Sequence, residues 1–513
     1  VLTVYLMATP LVALSDDDIG ELLTRIESAK VKERREAART LSQIGDRAAE
    51  ALPALIKALD DKDEQVRAHA LAAITQLGPS ARPAIPRLIV ALKSKQPQVR
   101  YRSAFALGQV GSAAVGPLVE ALDSDSVEQK IGAAMALART GPDAVAAVDR
   151  LVQALGDADP GVRDEAARAL GQVGLKSVPQ TLAALSTGNT SVRSGALLVL
   201  AEIGPDTRGE ASAIRKFVTD EAPEVRIRAA QALAHVGVAQ SELIEVLVEL
   251  IQDDHDDVQY AAGELFMLVR PREATVPHLT RLIEGEDTAV VLRAATLLSR
   301  FGRVAESAVP ALVKATAQLG EQDTDAVLPK ALGVIGEGAV EDIITGLAAS
   351  QYPEMTLRRY VDALTLTGTG AIPSLAIALA HASPQVRSGA ALTLGASGKT
   401  AEHLVPKIIT LLDDDDVFVR ASAAEALGDL GPVARAAAPA LAGKLEDANP
   451  RVRAAAVIGL GKTAGDDVTY TDLFASALKA DDVSVRIAAT RVMSKLPAVT
   501  TASVENLVTA LVD

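Results

Sequence analysis

The feature that most constrains this chain is a phrase it repeats: Val-Arg, then alanine-rich sequence, then a glycine eleven positions after the arginine. It occurs at Val66-Arg67 with Gly78, Val99-Arg100 with Gly111, Val162-Arg163 with Gly174, Val192-Arg193 with Gly204 and Val225-Arg226 with Gly237. It returns at Val386-Arg387 with Gly398 and Val419-Arg420 with Gly431, and in looser form at Val452-Arg453 and Val485-Arg486. Degenerate copies in the same register place Arg34, Lys130, Gln259, Val291, Asp325 and Leu357 at the arginine position, giving fifteen units spaced 30 to 34 residues apart. A period of that length marks a quasi-linear array in which each unit buries its apolar face against its neighbours.

Residues 52–78 show what one unit encodes. Pro53 opens a first helix, A, at the position where its missing N–H costs nothing. Leu55, Ile56 and Leu59 recur at helical spacing on A, Asp60, Asp61 and Asp63 form an acidic turn, and Val66 to Leu77 make a second helix, B. Gly78 is placed for a left-handed cap. The same Val-Pro or Ile-Pro start recurs at Ile85-Pro86, Val178-Pro179, Val276-Pro277, Val309-Pro310, Ile372-Pro373 and Val405-Pro406. Two helices this short cannot bury their apolar stripes alone, so the hairpins must stack. Only 12 of the 513 residues are aromatic, 6 Phe and 6 Tyr, which suits thin, closely packed helices and not strands. The expectation is an all-α fold, an α-solenoid superhelix of about fifteen helical hairpins.

The pattern D-x-x-V-R-x-x-A-A-x-A-L-G-x-I-G, followed by proline and a second apolar helix, resembles HEAT repeats. The closest variety is the HEAT-like repeat of phycobilisome lyases, and the resemblance covers essentially residues 20–513. It implies the fold strongly and the function weakly, because such repeats serve scaffolds, regulators, transport receptors and a few enzymes. Along the array, residues 16–242 hold units one to seven and residues 371–513 hold units twelve to fifteen with a C-terminal cap built on Leu507, Leu511 and Val512. Between them, residues 243–370 form four atypical units that lose the basic residue at Gln259, Val291, Asp325 and Leu357. That loss, with Gly320-Glu321-Gln322-Asp323 and Tyr352-Pro353, suggests altered curvature or a second contact surface.

A formal charge of −15, from 51 basic and 66 acidic residues, argues against nucleic acid, whose affinity comes from neutralising phosphates, and points to a basic or neutral protein partner. The absence of cysteine removes disulfides, thiolate nucleophiles and cysteine-based zinc sites. Residues 1–15, VLTVYLMATPLVALS, are apolar, too few to span a bilayer, and carry Ala13 and Ser15 like the small residues before a signal-peptidase cut. They read as a truncated export signal or as an N-terminal cap. The protein is extracytoplasmic in the first case and cytoplasmic in the second.

Arg67, Arg100, Arg163, Arg193, Arg226, Arg387, Arg420, Arg453 and Arg486 form a ladder that reads as structural. Acidic or polar residues stand six and four positions earlier, as with Asp61 and Asp63, Asp157 and Asp159, or Asp414 and Asp416, so each guanidinium is expected to find an acceptor across its own turn. Asp253-Asp254-His255-Asp256-Asp257 and Asp413 to Asp416 lie in ordinary inter-helix turns without the spacing of a calcium loop. His69, His235, His255, His278, His381 and His403 are scattered over separate units. Gly398-Lys399-Thr400 and Gly461-Lys462-Thr463 end like phosphate loops but have Thr393 and Ala456 where the first glycine belongs. No catalytic constellation, metal site or cofactor motif is read.

The informative residues break the unit's own rule. At positions two, three, six and ten after the Val, most units carry polar side chains facing solvent: Arg35, Glu36, Arg39 and Gln43; Asp164, Glu165, Arg168 and Gln172; Ala421, Ser422, Glu425 and Asp429. Unit three has Tyr101, Arg102, Phe105 and Gln109 there, unit four has Ile131, Gly132, Met135 and Arg139, and unit six adds Leu198. An exposed aromatic and aliphatic patch beside an arginine is the composition of a protein-binding surface. Tyr101, Arg102, Phe105, Met135 and Leu198 are therefore the candidate partner-binding residues of a non-catalytic scaffold that binds on its B-helix, concave surface. The alternative implied by the resemblance is an enzyme or accessory like the HEAT-like bilin lyases, holding a tetrapyrrole or protein substrate in that groove.

Overall fold

The computed structural model describes residues 16–319, 326–349, 354–464 and 467–495. The readings on residues 1–15, Gly320 to Asp323, Asp325, Tyr352-Pro353, Leu507, Leu511 and Val512 lie outside the described residues. Among those described there are thirty α-helices and no strand, pairing as fifteen A/B hairpins from Asp16–Ile26 with Val31–Leu41 to Thr471–Ala477 with Val483–Met493. The chain divides after Leu265 into two compact units, each an α-solenoid stack of such hairpins.

The second hairpin, Leu52–Ala58 and Glu64–Gln76, shows the logic. A seven-residue helix has no stability of its own in water, but Leu55 is wholly buried and Leu52 and Ala58 nearly so. Asp63 caps the B helix by accepting from the N–H groups of Gln65 and Val66. Asp159 does the same for Gly161 and Val162, and Asp416 for Phe418 and Val419. In the B helix Pro160–Val173, Val162, Ala166, Ala167, Ala169, Leu170 and Val173 are all buried, so only a narrow strip of each B helix is left for solvent.

Most B helices end on a glycine of positive φ, and most of these glycines are not in the left-handed cap. Gly111 has φ 78° and ψ −144°, and Gly174 φ 75° and ψ −146°, a region closed to residues with a Cβ. From there the chain turns directly into a 3₁₀ segment, Gly111–Ala114 or Gly174–Ser177, that leads into the next A helix. Gly237, with φ 72° and ψ 47°, keeps the expected left-handed cap, and there the chain passes to Gln240–Leu250 without such a segment.

The arginine ladder is built differently from the expectation. Nη1 of Arg67 donates to the backbone carbonyls of Asp61 and Lys62 at 2.7 and 3.1 Å, and Nη1 of Arg163 to those of Asp157 and Ala158 at 2.9 and 3.1 Å. The carboxylate six positions before an arginine instead serves the basic residue of the preceding unit, 27 residues away. Arg34 grips Asp61 through Nε and Nη2 at 2.7 and 3.0 Å, and Arg226 grips Asp253 at 2.7 and 2.6 Å. Lys130–Asp157, Arg193–Asp220, Arg387–Asp414 and Arg420–Asp447 repeat the rung. Each of these aspartates also accepts the N–H two residues on, as Asp61 does from Asp63 and Asp157 from Asp159, so one carboxylate shapes its own turn and staples the previous hairpin. The aspartate four positions before the arginine is the N-cap, accepting backbone N–H groups, and Asp63 accepts from the Arg35 guanidinium as well.

In the atypical region Gln259 keeps the contact to its own turn, donating from Nε2 to the Asp253 carbonyl, while Val291 is simply buried in the core. Tyr360 is fully buried there, donating its hydroxyl to the Val313 carbonyl at 2.9 Å, and burial pushes its pKa up to about 12. Near the C-terminal end the exposure pattern also departs from expectation. Ala421 and Ser422 are buried, leaving only Glu425 and Asp429 on the strip. The reason is close stacking: a Cβ on Gly428 would come 2.8 Å from Cα of Gly459, and one on Gly395 2.7 Å from Cα of Ala426.

Candidate interaction groove

Three consecutive B helices, Pro97–Val110, Val127–Thr140 and Pro160–Val173, frame a groove of about 420 Å³. Unit three contributes Tyr101, Ala104, Phe105 and Gln109, unit four Met135, Ala138 and Arg139, and unit five Glu165, Arg168 and Gln172. Tyr101 is 56% exposed, Phe105 and Met135 are half-buried, and Arg139 and Arg168 are exposed. Tyr101 and Phe105 stand one turn apart on the same face.

The guanidinium carbon of Arg139 lies 3.7 Å from the centroid of the Phe105 ring, a cation–π contact that covers one face of the ring. Gly108 makes this geometry available. A Cβ at that position would meet Cβ of Arg139 at 2.5 Å, so only glycine lets the arginine stem lie across the unit-three helix. On the far wall Arg168 donates to Glu165 at 2.8 Å. Burial pushes the Glu165 carboxyl above its ordinary value in spite of that guanidinium.

The five candidate residues thus fall into three places. Tyr101, Phe105 and Met135 come together in the groove, whereas Arg102 points to a second cavity shared with unit two, and Leu198, half-buried on the B helix Thr190–Ile203, lines neither. Arg139 and Gly108 were missed as site residues. Their signal is the offset between neighbouring helices, which brings position ten of unit four over position six of unit three.

Toward the N-terminus, the same face carries more cations than the overall charge of −15 suggests. Arg39 and Arg102 contribute to this, and burial, the larger cause, together with these two guanidinium groups holds the pKa of His69 below the usual histidine value. Elsewhere in this compact unit Asp253, Asp254 and His255 bring three potential metal ligands within 4.8 Å of one another, but the Arg226 guanidinium sits among them, 2.6 Å from Asp253 and 3.3 Å from Asp254. Among the described residues no single helix is long and apolar enough to cross a membrane.

The chain belongs to the HEAT-repeat family, whose model matches residues 19–85, 53–138, 115–201, 178–267 and 372–443. A curated relative, the phycocyanobilin lyase subunit beta of Nostoc sp., is 31% identical over 169 residues, covering 30% of this chain and 84% of the relative. Among solved structures, importin beta aligns with 96% of this chain and 80% of its own at 13% identity and a TM-score of 0.38. Kap95p, in a structure concerned with its binding to RanGDP, aligns over 96% and 81% at 11% identity and a TM-score of 0.42. An engineered protein is 25% identical over 43% of this chain and 96% of its own, with a TM-score of 0.24.

Proposed function

We propose that this HEAT-repeat chain is a non-catalytic interaction scaffold that holds a protein partner on the B-helix, concave surface of units three to five. The observation that carries the reading is Tyr101, left 56% exposed at the mouth of a groove in which Phe105 lies under Arg139. Leaving an aromatic ring in water has no benefit for folding, whereas an aromatic pair beside arginine is the composition of binding hot spots, worth about 2 kcal/mol or more each. Met135 extends the apolar floor, and Arg102 and Leu198 flank it on the same succession of helices.

The test is capture of partners from native extract by the intact chain and by the Tyr101→Ala/Phe105→Ala variant, with thermal unfolding of both. The variant is expected to melt within a few degrees of the parent and to lose its specific partner. Unchanged capture, or early unfolding that accounts for the loss, would return both rings to a structural role. The similarity to phycocyanobilin lyase subunit beta favours a second reading, in which the groove handles a bilin or a protein that carries one. A shifted bilin absorption band on mixing with phycocyanobilin, abolished in the same variant, would select it.

A further inference from the structure

The ladder has an open rung beside the groove. Where units are spaced 33 residues, a basic residue finds an aspartate 27 positions later, as Arg34 finds Asp61. The residue 27 positions after Arg67 is Ser94. Its hydroxyl still accepts the N–H of Gln96 at 3.2 Å and so keeps the turn, but it brings no charge. Arg67 is consequently held by Nη1 alone, on the carbonyls of Asp61 and Lys62, while its Nε and Nη2, which make the carboxylate fork in Arg34, bond to no described residue.

A cavity of about 430 Å³ opens at this place, between the B helices of units two and three. Arg67, Lys95 and Arg102 line it against one acidic residue, the exposed Glu64. Ser103 also lines it, and this wholly buried residue has a hydroxyl with no hydrogen-bond partner. Apolar Leu71 and Val99 complete the wall. Arg102 and Tyr101 are adjacent on one helix, so this cavity and the groove lie on either side of the unit-three B helix. Neither Arg102 nor Arg139 forms an ion pair with a described residue, in contrast to the rung arginines. A fork of guanidinium donors with no internal acceptor is shaped for a carboxylate.

We infer that a side-chain carboxylate of the partner completes the open rung at Arg67, and that the partner segment is therefore acidic, with an aromatic or aliphatic residue that enters the groove at Phe105 and Met135. The inference rests on the scaffold reading and names the chemistry of its ligand. It also reverses the expectation from net charge: a chain of −15 presents a locally cationic strip, with Arg39, Arg102 and Arg139 on the B helices of units one, three and four.

The test supplies the missing carboxylate from within. Ser94→Asp closes the rung internally and competes with the partner, whereas Ser94→Asn keeps the turn acceptor without charge. The probe is a fluorescein-labelled synthetic peptide of alternating acidic residues with Phe and Leu, followed by anisotropy with the full chain. Controls are the same peptide with Lys for its acidic residues, the same peptide with Ser for Phe and Leu, and unlabelled inorganic phosphate and phycocyanobilin as competitors. Ser94→Asp is expected to weaken the acidic peptide about tenfold or more, the scale of one charge-assisted contact, with no loss of thermal stability. Ser94→Asn should stay within about twofold.

Equal binding by the parent and Ser94→Asp, or preference for the Lys peptide, overturns the inference. Displacement of the probe by phosphate identifies a small-anion site, and displacement by phycocyanobilin a bilin site; either outcome overturns a polypeptide ligand. If Ser94→Asp is silent while Tyr101→Ala/Phe105→Ala still abolishes partner capture, this inference fails alone. If both are silent, the scaffold reading fails with it.

Discussion

Units six and seven carry closed rungs, and unit two carries an open one. Arg226 and Asp253 are each 9% exposed and joined by two hydrogen bonds, and Arg193 reaches Asp220 in the same way through one. Arg67 occupies the equivalent place in its own helix and makes the same contacts to its own turn, yet has Ser94 at the rung position 27 residues on and lines a cavity. Both regions form A/B hairpins, so the closed rung is not what makes a hairpin. The ladder has two separable halves: one arm ties the arginine to its own A–B turn, and the other ties one hairpin to the next. The second arm is absent at Arg67, and that is the place where the proposed partner carboxylate would bind.

The largest effect should come from breaking a closed rung. Arg226→Met leaves Asp253 buried without its counter-charge, and a loss of about 3 kcal/mol is expected in urea unfolding of the compact unit that contains it. A loss below about 1 kcal/mol would mean that solvent reaches the pair and the rung does little. Arg163→Leu probes the first arm alone, because Asp157 is already taken by Lys130 at 2.8 Å. Two bonds to backbone carbonyls are lost and no carboxylate is orphaned, so about 1 kcal/mol is expected, with partner capture unchanged. Loss of capture at parental stability would assign Arg163 to the binding surface. In the opposite direction, Ala480 stands 27 residues after Arg453, whose guanidinium is bonded through Nη1 to the carbonyls of Asp447 and Ala448. Ala480→Asp should close a new rung and stabilise by about 0.5–1 kcal/mol, whereas Ala480→Asn should give less than half of that.

Much of this architecture is legible in the sequence because the repeat prints each contact many times. The Val-Arg register places all fifteen B helices, and the pair formed by Asp61 and Asp63 recurs as Asp157 and Asp159 and as Asp414 and Asp416. Their division of labour is harder to read. Capping is local, whereas the rung joins residues 27 apart, and a reading confined to one unit assigns Asp61 to the nearer Arg67 when it belongs to Arg34. Tyr101 was legible as exposed because a large apolar side chain on a polar strip is unambiguous. Ala421 and Ser422 were not, since small residues suit water and close helix contact equally, and the deciding glycines, Gly428 and Gly459, lie on two different units. Phe105 under Arg139 needed the offset between neighbouring helices, which no single copy of the repeat contains.

The smallest effect per residue, and the most distributed, is on acid stability. The Arg34 guanidinium holds the Asp61 carboxyl below its ordinary value, and Arg35, with help from the capped N–H groups, brings Asp63 down to about 2. For Asp157, Asp414 and Asp447 burial opposes ionisation, but the facing Lys130, Arg387 and Arg420 outweigh it and the net shift is also downward. A carboxyl whose pKa is depressed in the folded state binds fewer protons there than in the unfolded chain, where aspartate titrates near about 3.9. Its stabilisation is therefore complete above that value and is lost as the pH falls through the folded pKa. The urea midpoint should be nearly flat from neutral pH to about 5 and should fall between about 4 and 2. Asp61→Asn should lower the neutral plateau and flatten the acid limb, because it removes both the rung and the proton that titrates it. Asp123→Asn, whose parent carboxylate is mostly exposed beside Arg150, should leave the acid limb as it was. A midpoint that already falls between pH 7 and 5 would place the controlling groups outside the ladder, and an acid limb indifferent to Asp61→Asn would show that the rungs hold the hairpins together without depending on charge.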